Sequence, residues 1–315
     1  MKKKIKKIIK AVVLSVICIV LAVILVMSAN LFWYYPHYKQ SKTQITFTSE
    51  KNTDEDITVM SSNLRCINPG DKGKRSWFYR ADLLVKNIEK YQPSVIGFQE
   101  ATKWQYNYMK DCLVGFDSVY EFRDTAVNTE SCPVFYRTDM YKLIDKGSFW
   151  LSETPEKMSK DWGAACYRIC SYVILETLDT KEQFVVFNTH LDHVSDEARI
   201  KGIGVVLDKI KQFGSLPSII MGDFNATEDS VTYENVTKDF LDAKYQTENT
   251  MSGCTYQNFG QELERECIDY FMISKTGIKV NEYKIVQDLY DGVYPSDHFP
   301  ILMKFTLENG EENAE

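Results

Sequence analysis

Short apolar runs that end on polar side chains constrain the fold of this chain more than any other feature. The runs are rich in Val, Ile and Phe and are separated by turn residues, a pattern that predicts buried β-strands. Because strand mouths in mixed sheets are where ligands bind, the polar ends also point to a site. The runs are ITVMSSNL (57–64), PSVIGFQE (93–100), PVFYR (133–137), YKLIDKGSFWL (141–151), RICSYVILETL (168–178), QFVVFNTH (183–190), LPSIIMGD (216–223), IDYFMIS (268–274), IKVNEYKIV (278–286) and ILMKFTL (301–307).

Two helical patterns lie between these runs. YRADLLVKNIEKY (79–91) places Ala81, Leu84 and Ile88 on one face, and ARIKGIGVVLDKIKQF (198–213) is amphipathic in the same way. Many strands with a few amphipathic helices predict an α/β (α+β) sandwich, in which two sheets are covered by helices.

The N-terminus does not fit a soluble domain. Residues 1–10 contain six lysines and no acid, and residues 11–29 carry no charge. About 20 apolar helical residues span a bilayer core, and the aromatic stretch LFWYY (31–35) suits the interface. The pattern predicts a cytoplasmic tail (1–10) and a transmembrane anchor (11–35) in the cell membrane, with the rest extracytoplasmic. The alternative is a signal peptide that is cleaved near VMSAN (26–30).

The remaining boundaries follow from composition. Residues 36–56 are polar and read as a linker, residues 57–307 as the globular domain, and residues 308–315 (ENGEENAE) as an acidic tail. The chain has a net charge of −7 although its first ten residues are basic. An acidic domain gains no long-range attraction to a polyanion, which counts against nucleic acid as a dedicated partner. We expect a monomer.

Polar residues gather at the ends of the apolar runs. Each has a structural explanation, since Asn and Asp cap turns and helices. However, the chain has only four histidines, and two of them belong to this set, which favours a site over scattered caps. The residues are Asn63, Glu100, His190, Asp223, Asn225, Asp269, Asp297 and His298.

These side chains have a shared chemical logic. Glu100 and Asp297, with Asn63 or Asp223, offer the all-oxygen donors that Mg²⁺ or Mn²⁺ prefers. His298 paired with Asp269 would have a fixed tautomer. A second histidine and an asparagine would stabilise charge on phosphorus while water attacks in line. The HLDH stretch (190–193) is too poor in nearby histidine for a zinc hydrolase, and no serine-elbow or phosphate-loop motif is present.

The ordered motifs resemble the endonuclease/exonuclease/phosphatase superfamily. They are SSNLRC (61–66), IGFQE (96–100), NTHLDH (188–193), GDFNA (222–226), IDYFMIS (268–274) and SDHFP (296–300), and residues 147–173 are similar to a bacterial branch of it. The resemblance implies a four-layer α/β sandwich and a divalent-metal-dependent phosphoesterase. The possible substrates are a phospholipid headgroup, a small phosphodiester or phosphomonoester, or nucleic acid. The alternatives are a non-catalytic surface module on the same fold and an extracellular nuclease.

The resemblance also assigns roles. It places Asn63, Glu100 and Asp297 at the metal. It places catalytic groups at His190, Asp223, Asn225, Asp269 and His298, and leaves open which histidine is the acid and which the base. From the residues themselves, Arg168 and Tyr136 are candidates for substrate contact at the cleft rim. Asp223 and Asn225 are two apart, so an extended chain would point both to the phosphate and Phe224 into the core.

Overall fold

The computed structural model describes residues 2–47, 56–264 and 266–308. Most of the domain's strands belong to two six-stranded sheets. The helices are α1 (Lys2–Phe32), α2 (Tyr35–Gln40), α3 (Trp77–Tyr91), α4 (Lys103–Cys112), α5 (Asp196–Lys211) and α6 (Val231–Thr237). The strands are β1 (Ile57–Asn63), β2 (Val95–Gln99), β3 (Ala101–Thr102), β4 (Phe116–Val119), β5 (Glu130–Ser131), β6 (Val134–Arg137), β7 (Tyr141–Trp150), β8 (Ile169–Thr177), β9 (Gln183–His190), β10 (Ser218–Asp223), β11 (Phe240–Asp242), β12 (Asp269–Ser274), β13 (Ile278–Ile285) and β14 (Ile301–Leu307).

Each large sheet is built around one parallel pair. The first has the order β13-β14-β1-β2-β6-β4, and the second has the order β11-β12-β10-β9-β8-β7. The parallel neighbours are β1 with β2, joined through α3, and β9 with β10, joined through α5. A crossover helix returns the chain to the same edge of the sheet. The carboxyl ends of each parallel pair therefore lie together, which is where the polar residues fall.

The apolar side chains form three clusters that define four layers. One lies between the sheets and includes Val59 and Val186. A second lies between the first sheet and α3 and α4, and a third between the second sheet and α5 and α6. Every side chain of β1 and β10 is buried, as expected for strands covered on both faces. The predicted sandwich of two sheets flanked by helices is confirmed.

Asn188 and Gly97 fix how closely the two sheets approach. The Asn188 side-chain amide donates to the carbonyls of Phe98 and Pro133, both at 2.8 Å, and its oxygen accepts from Gln99 Nε2 at 2.6 Å. A Cβ on Gly97 would lie 2.3 Å from the Met221 methyl group. A side chain here would push against Met221 and Asn188, so glycine permits the close approach. The Asn188 hydrogen bonds hold the end of β9 opposite the end of β2 across the sandwich.

The N-terminal helix is apolar and exposed, and it leads into the domain. Residues Lys3–Ala29 of α1 are long and apolar enough to cross a membrane, and none of that stretch is buried. Part of the predicted linker contacts the domain, because α2 lies against α3 and Ile45 is buried with its N–H bonded to the Cys112 carbonyl. Residues 48–55 of that linker and residues 309–315 of the predicted acidic tail lie outside the described residues.

Candidate active site

Four neighbouring strands bring the polar residues to one edge of the sandwich. Asn63 ends β1 and Glu100 follows β2, while His190 ends β9 and Asp223 ends β10. Asp269, the first residue of the antiparallel strand β12, pairs in register with Asp223. Asp297 and His298 lie just before β14. Both sheets contribute to the cluster.

Asn63 links the residues that come from the first sheet to those that come from the second. Its side-chain amide donates to Glu100 Oε1 at 3.1 Å and to Asp223 Oδ2 at 3.0 Å, so two carboxylates converge on one nitrogen. The other Glu100 oxygen accepts from the Cys66 N–H at 2.8 Å. Burial raises the pKa of Glu100, but the Cys66 N–H, His298 and the Asn63 amide act against it and leave the pKa lowered. Glu100 is therefore held as a carboxylate.

The donor set fits a divalent cation. Glu100, His190 and Asp223 each offer a ligand atom within 4.8 Å of the others, as do Asp223, Asp269 and His298. Burial raises the pKa of Asp223 to about 7, and Asp269 and Glu100 act in the same direction against His298. Converging buried carboxylates repel one another unless a cation lies between them. Two of the three ligand atoms in each set are carboxylate oxygens, and hard oxygen donors are those that Mg²⁺ or Mn²⁺ takes.

His298 lies between two carboxylates. Its Nδ1 is 2.9 Å from Asp269 Oδ2, and its Nε2 is 3.6 Å from Asp223 Oδ2. Burial lowers the pKa of His298, but Asp269 and Asp223 outweigh it and raise the pKa to about 10. The Tyr256 ring stands edge-on to the imidazole at 5.0 Å. This arrangement orients a positively charged imidazole toward the centre of the cluster.

His190 has the opposite electrostatic character. Its Nε2 is 2.9 Å from the Asn225 side-chain nitrogen and 3.5 Å from Asp223 Oδ2. Burial, with Arg168 and Arg123 acting in the same direction, lowers the pKa of His190 well below the usual value. The cluster therefore holds one neutral and one charged histidine around Asp223.

The geometry of the GDFN turn differs from the expected extended chain. Asn225 adopts a left-handed conformation with φ of 48°, and its N–H donates to Asp223 Oδ1 at 2.9 Å. Asn tolerates this region better than most residues. The two side chains still meet at His190, and Phe224 is fully buried as expected. The turn, rather than strand alternation, brings them together.

Asp297 is placed beside an arginine that the sequence did not single out. Arg65 Nη1 lies 3.5 Å from Asp297 Oδ2, and Arg65 also pairs with Asp71 at 3.1 Å. Behind it, the fully buried Arg80 donates to the carbonyls of Leu64, Arg65 and Pro295. Arg80 thereby ties the loop after β1 to the loop before His298. Its position on a helix gave no sign of this role.

Arg168 lies beside the cluster and Tyr136 does not. A small cleft is lined by Arg168 and Arg123 together with Glu100 and His190. Arg168 is held by His193 Nδ1 at 2.9 Å and Asp192 at 3.5 Å. By contrast, Tyr136 pairs with Val95 at the far end of β2, packs in the core between the sheets and bonds Asp117. The prediction that Tyr136 contacts substrate is wrong, because the register of β6 turns it away.

Sequence comparison identifies the family. The profile of the Endonuclease/Exonuclease/phosphatase family matches residues 60–298. The chain belongs to this family. Its members include hydrolases of phosphoesters and nucleases, and the resemblance found in the motifs is confirmed.

Several solved structures have the same fold. A Bacteroides vulgatus family member is 30% identical with a TM-score of 0.76, and covers 80% of this chain and 99% of its own. The mannosyl-6-phosphatase of Bacteroides thetaiotaomicron is 32% identical with a TM-score of 0.74, over 80% of this chain and 100% of its own.

Curated relatives are more distant. The 3'-5'-exoribonuclease subunit Ccr4 of the Candida albicans CCR4-Not complex is 23% identical over 84% of this chain. This chain spans less than half of that relative's length, because the match covers 43% of it.

Proposed function

We propose that this protein is a membrane-anchored, extracytoplasmic phosphoesterase that uses Mg²⁺ or Mn²⁺ and acts as a monomer. The observation that carries the proposal is the line of side chains Asp269–His298–Asp223, with ligand atoms of Glu100 and His190 within 4.8 Å of that of Asp223. The anchor rests on the long exposed apolar helix and the lysines before it. An intact set of charged and hydrogen-bonding groups favours catalysis over a binding role.

The proposed roles follow from the contacts. A cation held by Glu100, with Asn63 and Asp297, would neutralise charge on a phosphate oxygen. Asp223, between the two histidines, orients water and accepts its proton. Asn225 and His190 line the position of the phosphate oxygens. His298, fixed by Asp269, is the positively charged group and stabilises charge as it develops.

The relatives favour different ester types. The mannosyl-6-phosphatase, which is matched along its whole length, favours a phosphomonoester. The exoribonuclease subunits favour a nucleic-acid phosphodiester as the second candidate. The acidic net charge of the chain disfavours a polyanionic substrate such as nucleic acid. Monoesterase chemistry is therefore the first candidate.

The test compares nitrophenyl phosphate with bis-nitrophenyl phosphate on the purified full chain. We expect nitrophenol release that requires Mg²⁺ or Mn²⁺ and is lost in His298→Ala. Tyr136→Phe is the matched control, since Tyr136 lies in the core away from the cluster, and it should retain wild-type turnover. Absence of turnover on both esters with either cation, in a folded protein, would refute the proposal.

A further inference from the structure

The end of the N-terminal helix is fixed to the domain by aromatic side chains. The Phe32 ring lies 5.2 Å from Phe78 and 6.4 Å from Trp104, and Tyr35 packs against the same two rings at 5.7 and 6.3 Å. Tyr34 contacts Tyr79 at 5.0 Å. A polar tether would leave the domain free to rotate. This cluster instead sets the direction in which the domain leaves the helix.

The contact is made at the active-site edge of the domain. Phe78 lies in the first turn of α3, whose residue Arg80 bonds the loop that follows Asn63. Trp104 lies in the first turn of α4, four residues after Glu100. Both helices begin at the edge where β1 and β2 end. The apolar helix therefore reaches the domain beside the mouth of the site rather than at the opposite end.

The surface at this point is basic although the chain is acidic. Lys72 and Lys74 are exposed and Arg75 is half-buried, whereas the flanking acids Asp71 and Asp82 are buried. Lys74 Nζ lies 5.3 Å above the Tyr79 ring, which contacts Tyr34. Lys103 is exposed next to Trp104.

Exposed aromatic rings accompany these lysines. Trp33 and Trp104 are 73% and 49% exposed. Trp and Tyr are enriched at the lipid headgroup level, and clustered lysines near a membrane span bind anionic headgroups. The aromatic rings and the lysines together have the composition of a membrane-facing surface.

We propose that the domain sits with its active-site edge against the bilayer, and that its substrate is a phosphoester borne on a lipid headgroup of that bilayer. This inference rests on the proposed phosphoesterase function and adds the source of the substrate. The surface of Lys72, Lys74, Lys103, Trp33 and Trp104 contacts the headgroups. Tethering beside the mouth of the site raises the effective concentration of a membrane-borne substrate over a dissolved one.

The placement is tested without relying on activity. The full chain is reconstituted in phosphatidylcholine vesicles containing one-third phosphatidylglycerol, and lysine acylation by a water-soluble reagent is followed by mass spectrometry. Reactivity in vesicles relative to detergent should fall by about fivefold at Lys72, Lys74 and Lys103, which corresponds to ~1 kcal/mol per lysine at an anionic surface.

The internal controls are Lys142 and Lys279, which are exposed at the ends of β7 and β13 that lie away from the site. Their relative reactivity should not change. Equal ratios for the two sets of lysines would overturn the placement.

The substrate is tested with one phosphomonoester carried on two diacylglycerols, one long-chain in the vesicle and one short-chain in water, and phosphate release is the readout. We expect the wild type to prefer the vesicle form. Lys72→Glu/Lys74→Glu should lose at least about tenfold of that preference and keep wild-type turnover on the short-chain form. The matched control, Lys142→Glu/Lys279→Glu, should keep both.

The outcomes separate the two proposals. Hydrolysis of the short-chain form without a vesicle preference, or an equal loss in both double variants, would overturn the lipid inference alone. Hydrolysis of neither form, combined with inactivity on the dissolved nitrophenyl phosphates, would refute the phosphoesterase function instead. The lysine reactivities would then still report where the domain sits.

Discussion

Asp269→Asn tests the pair on which the candidate mechanism depends. The substitution keeps the shape of the side chain but removes the charge that faces His298 Nδ1 at 2.9 Å. Both residues are buried. Removing one partner of a buried ion pair costs about 3–5 kcal/mol. Because Asp223 remains 3.6 Å from Nε2, we expect the lower limit, ~3 kcal/mol of unfolding free energy.

The loss should depend on pH with a definite sign. The pKa of His298 is raised from 6.5 to about 10 in the folded protein. A raised histidine pKa stabilises the fold fully below its unfolded value, and this stabilisation is lost as the pH rises through the folded value. In EDTA, the free-energy difference between wild type and Asp269→Asn should therefore be largest below pH ~6.5 and shrink toward pH ~10.

Turnover should fall much more than stability. Replacing the carboxylate behind a catalytic histidine with an amide costs about 10⁴ in turnover in the serine-protease triad, and we expect a loss of similar order. Denaturant titrations at several pH values and steady-state nitrophenol release give the two quantities. Asp208→Asn, an exposed aspartate on α5, is the control. A pH-independent stability loss together with turnover within about tenfold of wild type would refute the argument.

Four further predictions concern the metal, the phosphate contacts, the backbone and the anchor. Glu100→Gln should raise the Mg²⁺ concentration needed for half-maximal activity, and EDTA should abolish wild-type activity; restoration by Zn²⁺ alone would contradict this. Asn225→Ala should lose about 10²–10³ in turnover and Asp223→Asn about 10²–10⁴ with little change in melting temperature; a large melting loss with normal turnover would return both residues to capping roles. Gly222→Ala should lose at least about 4 kcal/mol of unfolding free energy, because its Cβ would lie 1.9 Å from the Thr189 carbonyl oxygen at a φ of +138°; a denaturant midpoint like that of wild type would contradict it. Protease added to intact cells should remove the domain and leave a membrane-bound stub, whereas soluble protein beginning near Asn30 would show a cleaved signal peptide.

The strands were readable from the sequence because burial on both faces leaves uninterrupted apolar runs. Each predicted run contains a strand with similar bounds, such as Gln183–His190 and Ile301–Leu307. Helix α4 was not predicted, although its buried residues Gln105, Met109 and Cys112 follow a helical spacing. The strands β3, β5 and β11 have two or three residues, which is too short for any periodicity.

The sequence predicted the site residues that lie at strand ends. It did not predict those that turns and loops bring to the site. Strand order alone places Asn63, Glu100, His190 and Asp223 at one edge. Arg65 reaches Asp297 from a left-handed backbone with φ of 54°. Arg80 bonds the Pro295 carbonyl, which is more than two hundred residues away along the chain. The prediction for Tyr136 was wrong because the sequence of β6 does not show which end of β2 each of its residues lies beside.

The site is divided between the two sheets, so a ligand bound there would contact both of them. Asn63, Glu100 and His298 come from the first sheet, and His190, Asp223 and Asp269 come from the second. Neither sheet alone presents a complete set of groups. A ligand that contacts both sets binds the folded domain and not the unfolded chain, so at a hundred times its dissociation constant it adds about 2.7 kcal/mol to the free energy of unfolding. Ligand binding at the site and the packing of the two sheets against each other are therefore thermodynamically linked.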